Sequence, residues 1–311
     1  MKKKKRWWLW GLGTIVVLAI VILTAASFYL YHFAIEPTPK TLTKGNGRDT
    51  LLIQNKKWLQ QQHPQTWTET SATDHLKLVA DYLPAKKATT KTMILAHGYM
   101  NKKEDMANYA RMFHNQGYNV LIPDDRGSGH SEGTYIGFGW PDRLDYVKWI
   151  KQVIQKNGSH SKIGLFGVSM GGATVMMASG EKLPAQVKLI IEDCGYSSIE
   201  NELTYELNEQ FHMPKQPLIT TAAWVTKLRA HYDFRDGSST KALAKNKLPM
   251  LFIHGTKDTF VPTKMVYANY KADKAPGKEL WLVKGAKHAA SFEHDPAKYA
   301  AKVSQFAHQY F

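Results

Sequence analysis

The stretch 162–179, KIGLFGVSMGGATVMMAS, constrains the fold of this chain more than any other. Residues 162–166 read as a short apolar strand, and 172–179 as the small-residue start of a helix. Between them, Gly167-Val168-Ser169-Met170-Gly171 fits G-x-S-x-G. Strand, sharp turn and helix is the context in which such a serine stands at the top of a sheet. The glycines let the backbone take a strained turn without a Cβ clash.

Further apolar runs of strand length occur at 92–96, 119–123, 187–192, 249–254 and 279–283, and helical segments alternate with them. That alternation predicts an α/β fold with a mostly parallel, doubly wound sheet. Ahead of it, 49–62 is an amphipathic stretch expected to form a helix over one edge. Residues 66–84 alternate as a hairpin with its turn at 72–75. Residues 195–246 are too long for one strand-to-strand helix. Two helices are expected there, over 200–211 and 217–231, carrying Leu203, Tyr205, Leu207, Phe211 and Trp224. They would make a small helical cap over the serine. Their apolar residues either pack on the domain or line an acyl pocket, since amphipathic periodicity says only that one face is buried.

A nucleophilic serine needs a base, an acid and an oxyanion hole. His288, in VKGAKHAAS, follows the strand at 279–283. Asp258, in LFIHGTKDTFVP, follows the strand at 249–254. Both fall where the carboxyl edge of a parallel sheet would place a site. Asp193, at the end of 187–192, is the rival acid. The oxyanion donors are expected to be the backbone N–H groups of Met170, next to the serine, and Tyr99, in the loop after 92–96. His294 lies in a polar segment and reads as a surface histidine. His254 ends a buried strand and reads as a hydrogen-bonded core histidine.

These pieces carry a resemblance. Residues 96–105 (AHGYMNKKED), 119–133 (NVLIPDDRGSGHSEG), 164–174 (GLFGVSMGGAT), 251–262 (LFIHGTKDTFVP) and 285–289 (GAKHA) are similar to the α/β-hydrolases of the serine aminopeptidase, S33-like group. The chain looks most like the membrane-anchored members found in Gram-positive bacteria. The resemblance implies a Ser169–Asp258–His288 triad and favours Asp258 over Asp193. It makes His97 a support of the oxyanion loop, and the Asp125-Arg126 loop a structural network and not a phosphate cradle. No cofactor or metal is implied. The substrate would be a small acyl ester or a peptide, because one fold hosts many reactions. A carboxylesterase is the reading favoured here. A peptidase and a cell-envelope acyltransferase would use the same triad. A non-catalytic binding module sits poorly with three intact triad residues.

The N-terminus bears on location. Five cations occupy residues 2–6, and 7–35 contain no Asp, Glu, Lys or Arg. At about 1.5 Å per residue this run can cross a hydrocarbon layer of about 30 Å. Trp7, Trp8 and Trp10 at one end, and Tyr29 and Tyr31 at the other, suit the two interfaces. A cleaved signal peptide is the alternative, with a small-residue site at Thr24-Ala25-Ala26. The apolar run is longer than a secretory core of about 7–15 residues and continues past that site, which favours an uncleaved anchor. The positive-inside rule then keeps the tail in the cytoplasm and puts the catalytic domain outside the cell membrane.

The expected layout is a basic tail at 1–6, an anchor at 7–35, linker and edge helix at 36–65, and a hydrolase domain at 66–311 with its cap at 195–246. The linker, 36–44, is rich in Pro and Thr. A chain starting near Lys40 is expected to be soluble and active on small esters, since no triad or oxyanion residue precedes Thr92. One cysteine, Cys194, excludes an intramolecular disulfide. Of the net charge of +15, five belong to the tail, leaving +10 elsewhere. Such a surface attracts anionic wall polymers or lipids. No nucleic-acid motif accompanies the scattered lysines.

Overall fold

The computed structural model describes residues 4–37 and 50–311 and contains one eight-stranded sheet. Its strands are β1 (Gln65–Thr70), β2 (Lys77–Leu83), β3 (Lys91–Ala96), β4 (Asn119–Pro123), β5 (Lys162–Val168), β6 (Val187–Asp193), β7 (Met250–Gly255) and β8 (Glu279–Val283). They lie in the order β1-β2-β4-β3-β5-β6-β7-β8. The β1–β2 hairpin is antiparallel, and β2 runs antiparallel to β4. All other pairings are parallel. The strands expected from apolar runs and the hairpin expected from alternation are all present. The central strands β3 to β7 are buried almost throughout. Burial on both faces is why they read as continuous Val/Ile/Leu runs.

The helices are α1 (Lys4–Ala34), α2 (Thr50–Gln61), α3 (Ala107–Asn115), α4 (Asp142–Asn157), α5 (Met170–Ala178), α6 (Ile199–Phe211), α7 (Leu218–Ala230), α8 (Ser239–Leu243), α9 (Lys264–Ala272), α10 (Ser291–His294) and α11 (Pro296–His308). One face of the sheet packs on α2, α3 and α11, through residues such as Leu59, Phe113 and Phe306. The other face packs on α4, α5, α8 and α9, through Trp149, Val175, Leu243 and Val266. The caps are local. Ser198 Oγ accepts from the Asn201 N–H at the start of α6, and Asp295 does the same for Lys298 ahead of Pro296 in α11. Each such cap contributes about 1 kcal/mol.

A third cluster lies above the carboxyl edge of the sheet and joins α6, α7 and the end of α1. The two cap helices fall where the sequence put them. Their apolar residues do not share one role: Leu207 is buried, whereas Trp224 is 59% exposed. Residues Trp7–Ala34 are long and apolar enough to cross a membrane. From 7 to 22 every residue is exposed, but Ser27, Tyr31 and Ile35 are buried. Those three are spaced by four, so they form one stripe of the helix. The stripe docks on α7, where Ser27 Oγ and Thr221 Oγ1 are 2.7 Å apart. The Ile136 N–H donates to the Ile35 carbonyl at 2.7 Å. The last turns of the apolar run are therefore built into the domain, and the sequence reading of 7–35 as an anchor alone omitted that contact. Residues 38–44 of the expected linker lie outside the described residues.

Candidate active site

β5 ends at Val168 and α5 begins at Met170, so Ser169 is the single corner residue. Its backbone sits at φ 57° and ψ −118°, a sparsely populated region for a residue with a Cβ. The close approach that holds it there requires glycine on either side. A Cβ on Gly167 would lie 2.1 Å from the Gly171 carbonyl oxygen, and one on Gly171 would lie 2.1 Å from that of Ala96. The Ser169 N–H also donates to the Asp193 carbonyl at 2.8 Å, tying the corner to β6.

Asp258 follows β7 and His288 follows β8, so both reach the same sheet edge as Ser169. Ser169 Oγ lies 2.9 Å from His288 Nε2. His288 Nδ1 lies 2.8 Å from Asp258 Oδ2. A carboxylate is acceptor-only, so the Nδ1 proton points to Asp258 and Nε2 is left to accept from the serine. The other carboxylate oxygen, Oδ1, accepts from the N–H groups of Phe260 and Val261 at 3.0 and 2.9 Å. Burial opposes ionisation of Asp258, but the hydrogen bonds and charge of His254 and His288 outweigh it and hold the carboxyl at about 2. Asp258 is thus a fixed anion behind the imidazole.

Asp193 is spent elsewhere. It accepts from Ser291 Oγ at 3.0 Å and from Tyr299 Oη at 2.9 Å, and burial pushes its carboxyl up to about 6. His254 differs in part from its sequence reading. Nε2 bonds the Val261 carbonyl at 2.9 Å and lies 3.3 Å from Asp258, but Nδ1 has no partner among the described residues. His294 is exposed, as expected. Cys194, Asp258 and His288 bring one potential ligand atom each within 4.8 Å, a juxtaposition the sequence did not reveal. Burial pushes the Cys194 thiol well above its ordinary range, which disfavours the thiolate a metal needs, and the other two already bond each other.

The loop after β3 stands against the corner: a Cβ on Gly98 would lie 3.6 Å from that of Ser169. His97 pins this loop. Its Nε2 accepts from the Asp125 N–H at 3.0 Å, which leaves Nδ1 to donate to the Gly98 carbonyl at 2.8 Å. Burial holds this imidazole below its usual range, in keeping with the neutral form that both bonds require. Arg126 binds Asp145 with two nitrogens, at 2.6 and 2.9 Å, and Asp74 with a third at 2.9 Å. Asp124, Asp125 and Arg126 at the start of the 124–133 loop are therefore a buried structural network, while Gly129, His130 and Glu132 are exposed. Met170 N–H is the first donor of α5, and the first donors of a helix have no intrahelical acceptor.

Ser169 opens on a hollow walled by Tyr99, Phe138, Met170, Tyr196, Leu203 and Phe260. Phe33 and Ala34 of the N-terminal helix also line it. Tyr99 Oη donates to the Ala34 carbonyl at 2.7 Å. Glu202 lines it too, buried, with both carboxyl oxygens unpartnered among the described residues. Burial pushes this carboxyl well above its ordinary range, and the charges of Glu206 and Asp258 add to the shift. Of the other cap acids, Glu200 pairs with Lys215 at 2.7 Å.

The Glu202 shift has a thermodynamic consequence. A group whose folded pKa is raised contributes stability below its unfolded pKa of about 4.3, and loses it as pH rises. Glu202→Gln is therefore expected to gain stability relative to the parent as pH rises above that value, by at most about 1.4 kcal/mol per pH unit. Urea midpoints for both proteins between pH 5 and 8 measure it; a constant difference across that range would show that Glu202 does not titrate with folding.

The sheet order, the serine corner and the two edge loops together match a known architecture. The chain belongs to the α/β-hydrolase superfamily. Residues 87–241 match the family model described as serine aminopeptidase, S33. Among curated proteins, this α/β-hydrolase is 28% identical over 228 residues to the uncharacterized protein YqkD of Bacillus subtilis, covering 73% of this chain and 74% of that one. It is 26% identical over 195 residues to the human serine hydrolase BPHL, covering 55% of this chain and 63% of BPHL. Among solved structures, the Pyrococcus furiosus esterase Pf2001 aligns with a TM-score of 0.66 at 22% identity, over 89% of this chain and 98% of that one, a likeness of fold. This α/β-hydrolase is an enzyme of the hydrolase class; its substrate must be argued from its own pocket.

Proposed function

We propose that the protein is a serine carboxylesterase held at the cell membrane by its N-terminal helix. The observation that supports this most is the Ser169–His288–Asp258 hydrogen-bonded chain at the mouth of an apolar hollow. His288 takes the proton as Ser169 Oγ bonds to the acyl carbon. Asp258 stabilises the imidazolium that forms. The N–H groups of Tyr99 and Met170 hold the developing oxyanion, each donor being worth roughly 2.7–4 kcal/mol of the barrier. The acyl–oxygen bond then breaks, and the alcohol leaves with the proton from His288. Water, deprotonated by His288, attacks the acyl-enzyme and releases the acid and the free serine.

An ester is favoured over a peptide by the hollow itself. Its walls are largely apolar, and burial pushes both carboxyls that line it, Glu202 and Glu206, above their ordinary range, which disfavours the anion that a free amino terminus would pair with. The cell-envelope acyltransferase shares every step except the last acceptor. Labelling with a fluorophosphonate, then turnover of p-nitrophenyl esters with and without alcohol acceptors, separates the two: product partitioning to the alcohol ester at the expense of free acid would replace esterase by transferase.

Asp258→Asn is expected to lower kcat/KM for p-nitrophenyl butyrate by on the order of 10⁴-fold, because the neutral amide no longer fixes the imidazole tautomer. Asp193→Asn leaves the His288 contact in place and is expected to act on stability. A large loss in folded Asp193→Asn with near-parental Asp258→Asn would exchange the two roles.

The helix 7–35 is read as an uncleaved anchor, with the cationic tail in the cytoplasm and the hydrolase domain outside. The basic surface would then face anionic wall polymers and lipid headgroups. Protease added to intact, wall-stripped cells should digest the domain, and its full protection would reverse the topology.

A further inference from the structure

The hollow beside Ser169 does not end at the cap. A second hollow adjoins it and shares Phe33, Ala34, Leu203, Glu206 and Gln210 with the first. It runs between the last turns of α1 and the cap helices α6 and α7, reaching Leu30, Ile219 and Ala222. Its walls are mostly aliphatic or aromatic. One side of it is the N-terminal helix. We propose that this slot binds the acyl chain of a membrane-lipid ester, with the carbonyl at Ser169 and the chain lying along α1 toward the bilayer. The proposal rests on the esterase reading of Ser169 and names the substrate class for that site.

Three observations carry it. The first is continuity. A slot that shares five lining residues with the nucleophile's hollow extends one substrate site, and the part of an ester that reaches beyond its carbonyl is the acyl or the alkyl chain.

The second is direction. The hollow at Ser169 touches α1 at Phe33 and Ala34, whereas the second touches Ile35 just past the helix and also Leu30 and Tyr31, a turn farther back. The second hollow therefore extends the site back along the helix toward its exposed, apolar segment. About 20 residues span the hydrocarbon layer. Counted from Trp7, that places the Leu30–Ile35 turns just beyond the layer, at headgroup depth.

The third is the outer surface of the same elements. Phe28, Tyr29, Met213, Trp224 and Leu228 are all more than 40% exposed, and they belong to α1, α7 and the α6–α7 connection. Exposed Trp and Tyr with aliphatic neighbours suit a membrane interface. The elements that wall the slot thus also carry an exposed apolar surface of the kind that meets the phase holding long acyl chains. Each methylene buried in it is worth roughly fourfold in binding. Chain length should therefore raise kcat/KM steeply.

The test uses the full-length chain in phosphatidylcholine vesicles. A hexadecyl fluorophosphonate with a diazirine at the chain end is added; Ser169 Oγ bonds to phosphorus and fluoride leaves. After irradiation, cross-linked peptides are mapped by mass spectrometry. The expected cross-links fall within 30–35 at the end of α1, 207–211 of α6 or 219–226 of α7. Ser169 labelled with cross-links only outside these segments would overturn the slot while leaving the nucleophile standing. Ser169 unlabelled by this probe and by a short-chain fluorophosphonate would overturn both readings. Labelling by the short probe alone would overturn the slot. A second measurement compares p-nitrophenyl decanoate with the butyrate. Ala222→Trp should lower the ratio of their kcat/KM values by tenfold or more, and an unchanged ratio in the folded variant would overturn the slot. If Ala222→Trp does not fold, the parent cross-links decide.

Discussion

Replacing Ser169 by alanine is expected to lower ester turnover by on the order of 10⁵–10⁶-fold and to abolish fluorophosphonate labelling, with the protein still folded. The two halves of that expectation have separate causes. In the proposed mechanism the Oγ is the atom that forms the acyl bond, and neither His288 nor Asp258 can replace it. Its contribution to folding is one partly buried hydrogen bond to His288, about 1 kcal/mol. The strained backbone at Ser169 is imposed by the Gly167 and Gly171 contacts with neighbouring carbonyls, and alanine meets the same constraint. Melting temperature should therefore move by only a few degrees. A purified, folded variant that retains turnover within tenfold of the parent would remove Ser169 from the mechanism.

The sheet and the order Ser169, Asp258, His288 were legible because their signals are local. A buried parallel strand is a run of apolar residues, and the turn after it shows as glycine and polar residues. The choice between Asp193 and Asp258 was not local. Each ends a strand of similar composition, and both side chains are buried. What separates them is which partners fold over each: Ser291 and Tyr299 come from helices more than 90 residues downstream of Asp193. Glu202 was equally hidden. Glu202 and Glu206 share a face of α6, but which acid is sealed from water depends on how the cap docks. Glu202 is buried, whereas Glu200 reaches Lys215.

The docking of the last turns of the N-terminal helix was missed for a different reason. Lipid and protein interiors are both apolar, so hydropathy reads 7–35 as one segment. A signal was available. The run of 28 residues exceeds the roughly 20 that a bilayer requires. Ser27, Tyr31 and Ile35 recur every four residues, a spacing that puts a hydroxyl and a phenol on the stripe meeting the protein.

This packing changes what truncation should do. A chain beginning at Ser27 keeps the docked turns and discards most of the exposed apolar segment. A chain beginning at Lys40 loses Tyr31 and Ile35, which are 5% and 2% exposed. Burial of each is worth about 1.5–3 kcal/mol. It also removes the carbonyl that the buried Ile136 N–H bonds, at a cost of about 1–3 kcal/mol, and the Ala34 carbonyl that holds Tyr99. The total is on the order of 4–9 kcal/mol, against about 5–15 for a whole domain. Phe33 and Ala34 also wall the hollow at Ser169, so the loss reaches the site. The expected result is that the chain from Ser27 folds and hydrolyses p-nitrophenyl butyrate, while the chain from Lys40 is largely unfolded or melts at least 10 °C lower with little turnover. Because both lack most of the exposed segment, removal of that segment does not explain a difference between them. Equal melting temperatures and equal turnover would return α1 to the role of a tether. The same comparison bears on processing. Cleavage after Ala26 would leave Ser27 as the new terminus, so a released form would retain Phe33 and Ala34, which wall the hollow at Ser169.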